Sequence, residues 1–129
     1  MTPQEIFEAV VKHMVTMGHR AGYSKEDGKF ECRYRTNHGA KCVAGMFIPD
    51  ELYNPYMEGL SIGHVLNDNP DLPKWMHEHR QLLSRLQLIH DRETWDRIEQ
   101  GFQAIVEDFE LDASFLAQYD FTQFYGKEV

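Results

Sequence analysis

The chain lacks several features that would assign it to a functional class directly. It contains no run of about 18 apolar residues, which a membrane-spanning helix requires. Its first residues lack the basic start and the unbroken apolar stretch of a secretory signal peptide, so we expect a cytoplasmic protein. It has no glycine-rich phosphate loop, nucleophile elbow, calcium loop or His-Glu-x-x-His motif. We therefore predict no bound metal and no cofactor.

Cysteine is scarce, with only Cys32 and Cys42 in the chain. In a reducing cytosol we expect both to be thiols, although a hairpin turn between them would allow a cross-strand disulfide. Zinc is a further alternative, because histidines lie near both cysteines and zinc binds cysteine and histidine in tetrahedral sites. The candidate zinc ligands are Cys32, His38, Cys42 and either His64 or His90. The absence of a Cys-x-x-Cys pair argues against this site.

Basic residues are fewer than acidic residues, and most of the difference lies in the C-terminal part of the chain. The net charge is −8, and residues 91–129 hold 3 basic and 10 acidic side chains, whereas residues 1–90 hold 10 and 11. An acidic surface favours basic partners and disfavours nucleic acid. The exception is the stretch from Arg33 to Arg35, where arginine and tyrosine alternate as in some single-strand-binding surfaces.

Hydrophobic residues make up 42% of the 129 residues, which is enough for one core and predicts a single domain over residues 1–129. The N-terminal pattern predicts a helix over residues 3–17, with Thr2 and Glu5 forming a capping box. Apolar spacing also predicts a short helix capped by Ser61.

The middle of the chain predicts a β-hairpin within residues 29–48. Phe30, Cys32 and Tyr34 alternate with charged residues, which is the period of a strand with one buried face. An apolar segment over residues 41–48 would form the returning strand, although a short apolar run is also compatible with a helix.

Two long helices should follow, over about residues 73–90 and 95–109, joined by a connection short enough to make them antiparallel. The aromatic residues after them should cover an edge of the core. The predicted fold class is therefore α+β and mostly helical, with an N-terminal helix, a β-hairpin, an antiparallel helix pair and an aromatic C-terminal segment.

One candidate site is catalytic. Lys41 precedes Cys42 and could lower the pKa of its thiol. His90 could act as a base and Asp91 could orient it, as in cysteine-dependent hydrolases and transferases. The structural interpretation is that Cys42 is a small buried residue and that His90 and Asp91 favour the ends of two helices.

The other candidate site is acidic. Glu107, Asp108, Glu110 and Asp112 crowd the end of the second long helix, where negative charge is unfavourable by about 0.3–1 kcal/mol. Residues that oppose local stability hint at a function, here the binding of a basic protein surface. The alternative interpretation is a solvated face that promotes solubility.

The residues from Cys32 to Arg35 and the segment Gly39-Ala40-Lys41-Cys42-Val43-Ala44-Gly45-Met46-Phe47-Ile48-Pro49-Asp50-Glu51-Leu52-Tyr53 resemble a family of small uncharacterised proteins of bacteria and tailed phages. The similarity covers most of residues 3–95. It implies a phage or bacterial cytoplasmic origin and no particular activity.

The leading hypothesis is a non-enzymatic interaction protein, phage-encoded and acting on a host protein through its acidic C-terminal face. The alternative is a cysteine-dependent enzyme that uses Cys42 with His90.

Overall fold

The computed structural model describes residues 1–17, 42–92, 97–119 and 121, with backbone alone for Met17, Asp91 and Arg92. The described residues form five α-helices. These are α1 (Pro3–Met17), α2 (Ile62–Asp68), α3 (Lys74–Glu78), α4 (Arg80–Arg92) and α5 (Ile98–Phe109). Short 3₁₀ helices lie between or after them, at Gly45–Phe47, Pro55–Met57 and Ser114–Gln118.

Helix α1 begins where the sequence predicts. The Glu5 amide donates to the Thr2 hydroxyl at 3.1 Å, and the Thr2 amide donates to the Glu5 carboxylate at 2.8 Å. This reciprocal pair is the predicted capping box, and it satisfies amides that a helix start leaves without partners. The apolar face of α1 is fully buried, through Ile6, Phe7, Val10, Val11 and Met14.

The α+β prediction is wrong, because no described residue lies in a strand. The predicted returning strand instead forms a turn followed by the 3₁₀ helix Gly45–Phe47, and its amides donate to carbonyls three or four residues earlier. Three consecutive side chains, Cys42 to Ala44, are fully buried. A strand with one exposed face would bury alternate residues, whereas a segment enclosed by helices can bury all of them. The predicted first strand and its turn lie outside the described residues.

Helix α4 is the centre of the described fold, because it packs against α1, α2, α3 and α5. The predicted helix over residues 73–90 is divided into α3 and α4 at His79, whose backbone leaves the helical region with φ −111° and ψ 30°. Leu82, Leu83, Leu86 and Ile89 form the buried stripe of α4.

An aromatic chain connects α1, α5 and the segment after α5. The Phe7 and Phe102 rings meet edge to face at 5.9 Å between centroids, and Phe121 lies 5.8 Å from Phe102. Leu116 and Phe121 are buried, while Tyr119 is half-buried. The described part of the C-terminal segment therefore covers the core edge, as predicted.

None of the helices in the described ranges combines the length and the apolarity that crossing a bilayer requires.

Helices α4 and α5 approach each other closely at Gly101. A Cβ there would lie 3.2–3.3 Å from three side-chain atoms of Ile89. We expect Gly101→Ala to destabilise the protein by about 1 kcal/mol, because overpacking against a stiff β-branched side chain outweighs the gain in helix propensity. Urea unfolding measures this change.

Gly63 in α2 provides the matched control, because a Cβ there meets nothing within 4 Å. Gly63→Ala should stabilise the protein by about 0.5–1 kcal/mol. Equal effects of the two substitutions would contradict the close approach of α4 and α5.

Candidate functional site

The segment that contains Cys42 is attached to α4 by a buried hydrogen bond. The Ala44 amide donates to Oε1 of Gln87 at 3.0 Å. The segment also bonds within itself, because the Gly45 amide donates to Sγ of Cys42 at 3.4 Å. A buried amide without a partner would cost about 1–3 kcal/mol, so Gln87 is a structural requirement of this segment.

Two of the predicted catalytic residues, Cys42 and His90, are buried. The side chain of Cys42 has 0% of its surface exposed, and His90 on α4 is 1% exposed. Gln87 and His90 are three residues apart on α4, so they share a helix face, and Gln87 contacts the Cys42 segment. The side chain of Asp91 lies outside the described residues. The arrangement puts a thiol and an imidazole in one core, with neither accessible to a substrate from solvent.

The zinc ligands considered above are not all described, because Cys32 and His38 fall in the range 18–41. Within the part of the chain that is described, no three histidine, cysteine or acidic side chains lie together as a metal site requires. His64 is exposed and lies 3.2 Å from the Asp68 carboxylate, one turn along α2.

The four predicted partner-binding residues are all exposed or partly exposed. They are Glu107, Asp108, Glu110 and Asp112, and together they are called the acidic face below. The last turn of α5 contains no basic residue that would offset their charge. One cation reaches them from another helix, because Arg85 of α4 lies 2.8 Å from the Asp108 carboxylate. Glu107 and Glu110 form no ion pair with a described residue.

The structure extends the acidic face onto the start of α1. The Asp112 amide donates to Oε1 of Gln4 at 2.9 Å, and Nε2 of Gln4 donates both to the Asp112 carbonyl and to the Glu8 carboxylate. Glu8 therefore lies near the end of α5, and the exposed Glu5 follows Gln4 in the first turns of α1. Sequence analysis missed this extension, because no local pattern signals a contact between residues 108 positions apart.

Local hydrogen bonds keep two of these carboxyl groups ionised. The Ser114 amide donates to Oδ1 of Asp112 at 2.9 Å, and this bond holds the pKa of Asp112 below its ordinary value. The bond from the Thr2 amide likewise lowers the pKa of Glu5. The negative charge of both groups consequently persists to lower pH than usual.

Glu110 also has an unfavourable backbone conformation for its residue type. It follows the last turn of α5 with φ 54° and ψ 49°, the left-handed conformation that glycine usually adopts at this position. The conformation costs a residue with a Cβ about 1–2 kcal/mol. Glycine would satisfy the same turn, so the glutamate adds charge at the expense of stability.

Comparison of the chain with protein-family models, with curated proteins and with solved structures found no match. The resemblance to small phage and bacterial proteins therefore stays a prediction.

The burial of Cys42 generates a direct prediction. The test uses a Cys32→Ser variant, in which Cys42 is the sole thiol, and an aromatic disulfide reagent that releases a yellow thiolate. We expect this reagent to react at least about a hundredfold more slowly with the native protein than with the urea-unfolded protein. A buried thiol reacts only when the surrounding structure opens. Absorbance after mixing measures both rates.

A native rate close to the unfolded rate would mean that Cys42 is accessible and would favour the cysteine-dependent enzyme. Unfolding curves of the Cys32→Ser protein and the parent chain provide the control that the background is folded.

Proposed function

We propose that this chain is a non-enzymatic interaction protein that binds a basic surface on a cellular protein through its acidic face. The observation that carries the proposal is the exposure of Glu107 and Glu110, which lack a cation among the described residues. Glu8, which Gln4 links to Asp112, enlarges the same surface. A concentrated negative field accelerates encounter with a positive partner.

The local energetics support recognition rather than fold stability as the role of these residues. Glu107 and Asp108 face the negative end of the α5 dipole, and Glu110 occupies a position where glycine is favourable. Both features reduce stability, and sequence that opposes local stability is expected mainly at functional positions. Solubility alone would not require acids at these particular places.

The proposal includes a cytoplasmic partner and a phage or bacterial origin. The resemblance described above suits a small protein that acts on a host component, and a chain with two cysteines suits a reducing compartment. A partner with a basic groove or patch, such as a nucleic-acid-binding protein, has the required charge complementarity.

A pair of charge-matched variants tests the acidic face. Glu107→Gln with Glu110→Gln removes two charges from it, while Glu51→Gln with Asp71→Asn removes two charges from exposed positions between helices. Each protein is used as bait in bacterial lysate, and captured proteins are quantified by mass spectrometry. We expect a basic protein that the control variant retains and that the Glu107/Glu110 variant captures about fivefold less, because each exposed charge pair contributes up to about 1 kcal/mol.

Capture should also fall as salt rises from about 0.1 M to about 1 M, because the Debye length shrinks from about 10 Å to about 3 Å. The Glu107/Glu110 variant should be at least as stable as the parent in urea, which separates lost binding from lost folding. The proposal fails if no captured protein distinguishes the two variants, or if capture is independent of salt.

A further inference from the structure

A groove lies on the surface between α4 and α5, away from the buried thiol. Its volume is about 350 Å³, at the low end of the range for ligand sites. The six residues that line it are Arg80, Gln81, Ser84, Arg85, Leu88 and Phe109.

The groove has an apolar part. Leu88 is 44% exposed, which is unusual for leucine on a helix whose other leucines are buried. Phe109 is half-buried, and its ring lies under the Arg85 guanidinium at 5.9 Å from the centroid. An exposed apolar surface of this kind can accept a large apolar side chain from a partner.

The charged residues that line the groove are both arginines, and both are held in position by neighbours. Arg80 donates through Nη2 to Asn67 of α2 at 2.9 Å, and Arg85 donates through Nη2 to Asp108 of α5 at 2.8 Å. A guanidinium has five N–H donors, so neither of these bonds uses its full donor capacity. Gln81 and Ser84 add neutral polar groups on the same stretch of α4.

We propose that this groove binds a peptide segment in which an acidic side chain lies next to a large apolar side chain. The carboxylate would accept hydrogen bonds from Arg80 and Arg85, and the apolar side chain would pack on Leu88 and Phe109. Arginine favours carboxylates because its planar fork matches their geometry, and orientation by Asn67 and Asp108 reduces the entropy lost on binding. Asp108 offsets the charge of Arg85, so Arg80 is the cation that discriminates against a basic segment.

The test uses three short fluorescent peptides and the full chain. The first contains glutamate followed by leucine and phenylalanine, the second replaces glutamate with lysine, and the third replaces both apolar residues with serine. Fluorescence anisotropy should show saturable binding of the first peptide and binding at least about tenfold weaker for each of the other two.

Arg80→Gln and Leu88→Gln should each weaken binding of the first peptide about five- to tenfold, while Lys12→Gln at an exposed position of α1 should leave it unchanged. Thermal melts establish that the variants are folded. The proposal is overturned if the first peptide does not bind saturably, if the lysine peptide binds equally well, or if Lys12→Gln weakens binding as much as Arg80→Gln. Because the acidic face is intact in all these variants, the result is independent of the preceding proposal.

Discussion

The burial of α4 against four other helices is the constraint on which the described structure depends. Leu82, Leu83, Leu86 and Ile89 place their side chains in the core, and full burial of each contributes about 1.5–3 kcal/mol. The same helix supplies Gln87, whose side-chain oxygen Oε1 accepts a hydrogen bond from the Ala44 amide. Loss of α4 would therefore remove both the apolar contacts of its neighbours and the attachment of the segment that contains Cys42.

This constraint determines which residues are available for function. Because α4 draws the Cys42 segment into the core, the most reactive side chain that the structure describes is enclosed by packing. The acidic residues lie instead at the surface where α5 ends and α1 begins. Hydrogen bonds between Gln4 and the backbone of Asp112 connect the two helices there. In the proposed function, the surface carboxylates would bind the partner, while the enclosed residues maintain the fold.

Sequence patterns were sufficient where local physics decides the structure. The capping box of Thr2 and Glu5 and the Ser61 cap of α2 follow from side chains that satisfy helix amides nearby, and both are present. The hairpin prediction was wrong because a short apolar run has no unambiguous period, and its burial depends on what surrounds it. Residues 74–90 contain no glycine or proline that would mark the break at His79.

Contacts between distant parts of the chain could not be predicted from the sequence. The residues of the acidic face were identified from their crowding, but their neighbours Gln4, Glu8 and Arg85 come from helices that only the tertiary fold brings near. The groove was missed for the same reason. In the sequence, Arg80 and Leu88 are ordinary polar and apolar residues of a helix. They line a groove only because the fold brings Phe109 of α5 beside them.

The central claim is that the segment from Cys42 to Ile48 belongs to the core and does not form a mobile catalytic loop. Native-state hydrogen exchange at the Ala44 amide tests it most directly, because that amide is buried and bonded to Gln87. If the segment belongs to the core, this amide should exchange only through global unfolding, with a free energy equal to that of unfolding in urea. Exchange through local opening, at a rate close to that of an exposed amide, would contradict it.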